Sequence, residues 1–119
     1  MTKSFAESPE ILLVEDSPQD AELTIRAIRK QHVANEIQVL EDGAAALDYV
    51  FGRGQYAGRN LNHMPRVILL DIKLPKLNGL EVLRALKADA RTRSIPVVIV
   101  TFALRRYLLR GVTFGAIRQ

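Results

Sequence analysis

No cysteine occurs in the chain, which excludes a disulfide framework and any thiolate metal site and fits a reducing, cytoplasmic setting. No apolar run approaches the roughly twenty residues that cross a bilayer. The N-terminal MTKSFAESPE also lacks the apolar core of a signal peptide, so no membrane partner is expected. Internal repeats and low-complexity segments are absent too, and the 119 residues read as one domain with a single core. What is present is ordinary for a globular protein: 48% hydrophobic and 25% charged residues. The net charge of +4 raises the question of nucleic acid, but the arginines are scattered and then crowd the end as Arg105, Arg106, Arg110 and Arg118. That distribution reads as a solvated face rather than a nucleic-acid interface, for which a steep salt dependence of DNA affinity would be the sign.

Short apolar runs alternate with helical patterns. Ile11 to Val14 is a first strand, and Ser17-Pro18-Gln19-Asp20 then supplies a cap hydroxyl, a proline at the first helical position and an acid in the first turn. The helix runs to about Gln31 with Ala21, Ile25 and Ile28 on its inward stripe. Ile37 and Val39 mark a second strand; Asp42 caps a second helix, Ala44 to Phe51, closed by Gly52. A long polar loop, GRGQYAGRNLNHMP, leads to "RVILLDIKLPKLNG", whose apolar run Val67 to Leu70 reads as a strand buried on both faces. Asn78 caps a third helix with Leu80, Leu83 and Leu86 as its buried stripe, and Val97 to Thr101 is a fourth strand. The glycines of GRGQYAG follow a helix rather than a strand, so they read as a connector and not as a phosphate loop. Strands alternating with helices imply an α/β fold with a parallel sheet covered on both faces.

In such sheets, sites form beyond the carboxyl ends of the strands, near the point where strand order reverses. Glu15 and Asp16 follow the first strand, Asp71 the third, and Thr101 ends the fourth. Acids crowded together repel unless a cation joins them. A hard divalent ion such as Mg²⁺ takes one or two carboxylates with waters and brings a phosphoryl oxygen with it. A remaining carboxylate oxygen can then act as a nucleophile toward phosphorus, with Thr101 donating a hydrogen bond to the phosphoryl group. Asp71 is hard to read as a mere cap, because Asn78 already caps the helix that follows.

Taken together, "ILLVEDSPQDAEL", "VILLDIKLPKLNGLEVL" and "IPVVIVT" resemble the receiver domain of two-component response regulators. The segments "LDYVFGRGQYAGRNLNHMPRVILLD" and "LKADARTRSIPVV" are similar, more narrowly, to single-domain regulators that partner phytochrome-like and related sensor histidine kinases. The resemblance implies a flavodoxin-like, doubly wound parallel sheet, with a tail over 1–8 and the receiver over 9–119. It implies that Asp71 accepts a phosphoryl group from a kinase phosphohistidine. Asp16 would bind Mg²⁺ directly, Glu15 mainly through water, the main-chain carbonyl of Lys73 would complete the protein's ligands, and Thr101 would be the switch hydroxyl. It implies no enzyme beyond self-catalysed aspartyl phosphorylation and dephosphorylation. Neither His32 nor His63 has the context of a phosphohistidine; they read as a helix-end and a loop residue.

From 102 onward the chain diverges from the receiver pattern. "FALRRYLLRGVTFGAIRQ" leaves four clear strands, a degraded fifth and no final helix. The expected lysine is missing, and the planar fork of Arg118 does not reproduce a compact ammonium. Such an end is expected of a truncated, frame-altered or engineered terminus. The rival reading is a degenerate receiver that acts as an unphosphorylated interaction or dimerisation module. A haloacid-dehalogenase-type phosphatase also uses a strand-end aspartate with Mg²⁺, but it needs a second acid two positions later, where Lys73 stands. Loss of the few buried aliphatic side chains of a final helix removes on the order of 5 to 10 kcal/mol, which rivals the stability of a whole domain. The protein is therefore expected to associate or to swap segments through its C-terminal face. Light scattering across a dilution series checks this: the apparent mass should rise with concentration, and a concentration-independent monomer with a cooperative melt would contradict it.

Overall fold

The computed structural model describes residues 11–32, 36–72, 74 and 76–100. The expectations placed on the 1–8 tail, Lys73, Thr101, Arg118, the fifth strand and the final helix lie outside these residues. In chain order the elements are β1 (Ile11–Val14), α1 (Pro18–Lys30), β2 (Ile37–Leu40), α2 (Gly43–Phe51), a 3₁₀ turn (Gly54–Tyr56), β3 (Val67–Asp71), α3 (Gly79–Ala88) and β4 (Val97–Val100). The helices begin where the sequence places caps. Ser17 Oγ accepts from the Asp20 N–H, Asp42 Oδ1 accepts from the Ala45 N–H at 2.7 Å, and Asn78 and Glu81 form a reciprocal capping box. Gly52 closes α2 in the left-handed conformation, φ 66°.

All strand pairs are parallel, in the order β2-β1-β3-β4, with Val14 beside both Leu40 and Leu70 and with Asp71 beside Val100. This is the α/β receiver architecture, and its strand order reverses direction between β1 and β3. Right-handed crossovers that run in opposite directions place α1 on one face and α2 and α3 on the other. The α2/α3 side holds the main core, where Leu12, Val14, Ile68 and Leu70 of the sheet meet Tyr49, Val50, Val82 and Leu86, all essentially fully buried.

Two expectations about burial are corrected. β3 is not buried evenly on both faces: Ile68 and Leu70 are buried, whereas Val67 and Leu69 are half-buried. Two helices cover one side of the sheet and, among the described residues, α1 covers the other. In α3 the inward stripe is Gly79, Val82 and Leu86 with Leu83 beside it, and Leu80 is 50% exposed. One residue is about 100° of helix rotation, so phasing the stripe from Gly79 turns Leu80 out.

The loop before β3 is more than a polar connector. Arg59 is 5% exposed and its guanidinium lies 4.2 Å above the Tyr49 ring, donating to the carbonyls of Tyr49 (2.7 Å), Val50 (3.4 Å) and His63 (3.1 Å). It thereby satisfies the last carbonyls of α2, where the helix dipole also favours a cation. Tyr56 packs edge-on against Tyr49 at 5.2 Å, and its phenol pKa is raised by burial and then by Asp42, Asp48 and Glu41. Replacement of Arg59 by Ala removes the donor shared by the Tyr49, Val50 and His63 carbonyls and should cost roughly 3 kcal/mol. Arg59→Lys should recover little, because one ammonium cannot serve diverging carbonyls. Urea unfolding of the two variants measures both effects.

Candidate metal centre

Parallel pairing sets the site. Glu15 follows the register pair Val14–Leu70 by one residue, as does Asp71 on β3, so the two acids leave neighbouring strands side by side. Glu15 N–H donates to the Leu40 carbonyl at 2.9 Å, which extends the ladder to this point. The Glu15 carboxylate then accepts from the Ser17 N–H at 3.2 Å. Ser17 thus serves twice, since its backbone holds Glu15 while its hydroxyl caps α1. Glu15 and Asp71 are buried, at 4% and 7% exposure, and Asp16 is exposed.

The outcome is a cluster in which one carboxylate oxygen from each of Glu15, Asp16 and Asp71 lies within 4.8 Å of the others. Three hard oxygen donors at this spacing, with one side open to water, match the preference of Mg²⁺ or Mn²⁺ for carboxylates supplemented by waters. The N-termini of α1, α2 and α3 all begin at this edge of the sheet, and their partial positive charge offsets part of the repulsion. Of the residues expected at the site, the structure brings Glu15, Asp16 and Asp71 together; Lys73 and Thr101 lie outside the described residues. Asp71 closes β3 and is held in the ladder beside Val100 rather than following the strand.

Sequence reasoning missed the contacts that fix the loop after Asp71. Lys76 takes a left-handed φ of 67° and its Nζ lies 3.5 Å from Asp42 Oδ2, which ties this loop to the start of α2. The Lys76–Asp42 pairing is not signalled by sequence spacing. The acid two residues before a Ser-Pro cap was the legible sign of the Ser17 contact.

A parallel α/β sheet with three carboxylates gathered at its switch point is the class of protein that fold and site define. Within that class, the chain belongs to the response regulator receiver domain family, whose model matches residues 11–118. Among curated proteins it is 46% identical to a probable methanogenesis regulatory protein, FilR2, of Methanothrix harundinacea, over 92% of this chain and 76% of that protein. It is 38% identical to the response regulator Rcp1 of Synechocystis, over 76% of this chain and 60% of that protein. Among solved structures it is similar to the bacteriophytochrome response regulator AtBRR, with a TM-score of 0.74 and 46% identity over 92% of this chain and 79% of that one. The Mn²⁺-bound form of Rcp1 superposes with a TM-score of 0.72 at 27% identity, covering 92% of this chain and 95% of that one. Phosphorylated cyanobacterial phytochrome response regulator RcpA does so with a TM-score of 0.70 at 34% identity, covering 86% and 75%. These relatives are signalling proteins rather than enzymes of note.

The crowding of acids has a direct consequence for stability. In metal-free buffer, Asp71→Asn should raise the melting temperature, because it removes like-charge repulsion at a buried position. A scan in the presence of a chelator measures the shift, and a fall would show that attraction to other groups dominates at Asp71.

Proposed function

We propose that the chain is the phosphoacceptor receiver of a two-component phosphorelay, taking a phosphoryl group from a sensor histidine kinase onto Asp71. The observation that carries this reading is the convergence of the Glu15, Asp16 and Asp71 carboxylates within 4.8 Å at the β1/β3 switch point. Mg²⁺ is the fitting cofactor: when bound, it neutralises the acids and the oxygens of the incoming phosphoryl group. Asp16 and Asp71 would hold it directly and Glu15 mainly through water, and the Lys73 carbonyl would be a further ligand. The Mn²⁺-bound Rcp1 and phosphorylated RcpA neighbours support both parts of the assignment.

An Asp71 carboxylate oxygen attacks phosphorus in line. The new P–O bond forms as the P–N bond to the kinase histidine breaks, and the imidazole leaves with the electron pair. The rigid end of β3 supplies orientation, which is most of what the protein contributes to phosphoryl transfer. Thr101 donates its hydroxyl to the phosphoryl group and so reports its arrival, shifting a surface that partners read. The kinase is of the phytochrome-like type, given the bacteriophytochrome and phytochrome regulators among the neighbours, and a chain without cysteine fits the cytoplasm as the setting. Among the described residues, no helix is long and apolar enough to cross a membrane.

A second reading, an unphosphorylated interaction or dimerisation module, is favoured by apolar surface on the α1 side of the sheet. There Val98, in register with Leu69, is 42% exposed, and Leu23 of α1 is 44% exposed. Intact-mass spectrometry separates the two. With Mg²⁺ and a small acyl phosphate the protein should gain one phosphoryl group, and Asp71→Asn or removal of Mg²⁺ should abolish the gain. Glu15→Gln should weaken Mg²⁺ binding by roughly 10–100-fold, the range for groups that act through the metal's outer shell. No gain in mass under any condition would leave the interaction module, and a gain that survives Asp71→Asn would move the acceptor elsewhere.

A further inference from the structure

Gly43 and Gly79 open α2 and α3, positions where alanine is the better helix former. Neither has a left-handed φ, so conformational freedom does not explain the missing side chain. Close approach does. A Cβ on Gly79 would stand 2.6 Å from the carbonyl oxygen of Asp71 and 2.8 Å from the Cα of Ile72. A Cβ on Gly43 would overlap the Leu77 carbonyl oxygen and sit 2.7 Å from Val82 Cγ2. Both glycines are buried. The contacts converge on one object, the loop that leaves Asp71. Gly79 N–H donates to the Ile72 carbonyl at 3.1 Å, and Ile72 N–H donates to Val100 at 3.4 Å. Lys76, in its left-handed conformation, pairs with Asp42, the cap of α2. Two helix starts therefore press on the loop from two sides, with backbone against backbone.

We infer that Gly43 and Gly79 are positioning residues for Asp71: the bare backbones of two helix N-termini clamp the β3–α3 loop and so fix where the acceptor carboxylate sits relative to Glu15 and Asp16. This rests on the reading of Asp71 as metal ligand and phosphoacceptor given above. To bring the Gly79 contact from 2.6 Å to an ordinary separation of about 3.5 Å, the Asp71 peptide and the start of α3 must part by roughly 0.9 Å. Mg²⁺ and Mn²⁺ sites of this kind demand close-to-ideal geometry, and a misplacement of about 1 Å can cost 10²-fold in rate. Gly43 acts one step further away, through Leu77, so its effect is smaller.

The test compares the full chain with Gly79→Ala, Gly43→Ala and a control, Leu86→Ala, which opens a cavity in α3 away from the loop. Mn²⁺ affinity is measured by titration calorimetry at a temperature where each protein is folded, and phosphoryl gain from an acyl phosphate by intact mass. Gly79→Ala should weaken Mn²⁺ binding about tenfold or more and slow phosphoryl gain by up to about 100-fold. Gly43→Ala should move both in the same direction by less. Leu86→Ala should lower the melting temperature and leave both readouts unchanged. Folded glycine variants with wild-type Mn²⁺ affinity would overturn the inference while leaving the site reading intact, and a wild-type protein without Mn²⁺ affinity would overturn both. Where a glycine variant does not fold, the wild-type protein decides by amide NMR. Adding Mg²⁺ should shift the Gly43 and Gly79 resonances but not those of Gly52 and Gly58, and unmoved Gly43 and Gly79 signals would overturn the clamp.

Discussion

Three carboxylate groups within 4.8 Å of one another repel, and a chain that gathers them must hold them by means other than their own attraction. Here the holding is done by backbone. Glu15 is fixed by the ladder bond to Leu40 and by the Ser17 N–H, and Asp71 by its place in β3 between the extended β1 and β4. Strand ends are rigid because their neighbours are buried: Val14 and Leu70, the residues just before the two acids, have no exposed surface. Packing of Val14 and Leu70 and placement of the acids beside them are thus one constraint, since a strand that slipped by one residue would turn its own acid to the wrong face.

The charges of the helices follow the same logic. Parallel strands joined by helices put every described helix N-terminus at the acidic edge and every C-terminus at the other. Asp20, Asp42 and Glu81 stand in or before first turns at the acidic edge, while Arg29, Lys30 and Lys87 stand in last turns at the opposite one. Each placement suits the helix dipole, and together they keep Arg29, Lys30 and Lys87 away from the pocket. Lys76 does lie at the acidic edge, but its ammonium is directed to Asp42. At the far edge Asp89 is held by Arg91 through a forked hydrogen bond, which keeps its carboxyl down at about 2.

Much of this was legible in sequence, for identifiable reasons. Strands and caps announce themselves locally: apolar runs of Ile, Leu and Val, a Ser-Pro start, an Asn and a Glu three residues apart. The convergence of Glu15, Asp16 and Asp71 followed from the rule that parallel strands share one carboxyl edge, and the resemblance to receivers named the same residues. Leu80 was misassigned because leucines at 80, 83 and 86 mimic a stripe, and only the contact of Gly79 with the sheet reveals the true phase. Arg59 was missed because an arginine in a polar loop looks solvated, and nothing local shows that it lies over Tyr49. Gly43 and Gly79 carried no signal in the sequence, since close approach between distant segments leaves no periodic trace.

The arrangement also bears on how a signal would leave the site. Asp71 is paired in register with Val100, the residue before Thr101, and the next peptide along, Ile72, donates to the Val100 carbonyl. On the proposed reading, a phosphoryl group on Asp71 therefore has a short covalent and hydrogen-bonded route to the end of β4. The α2/α3 side of the loop, by contrast, is closed by Gly43 and Gly79 with no room to yield. On that reading, a displacement not absorbed on the clamped side would pass along β4, whose Val98 is exposed. Packed interiors respond in this way because they are stiff, with discrete alternative arrangements rather than gradual deformation. The clamp that sets the acceptor's position would thus also set the direction in which its modification is felt.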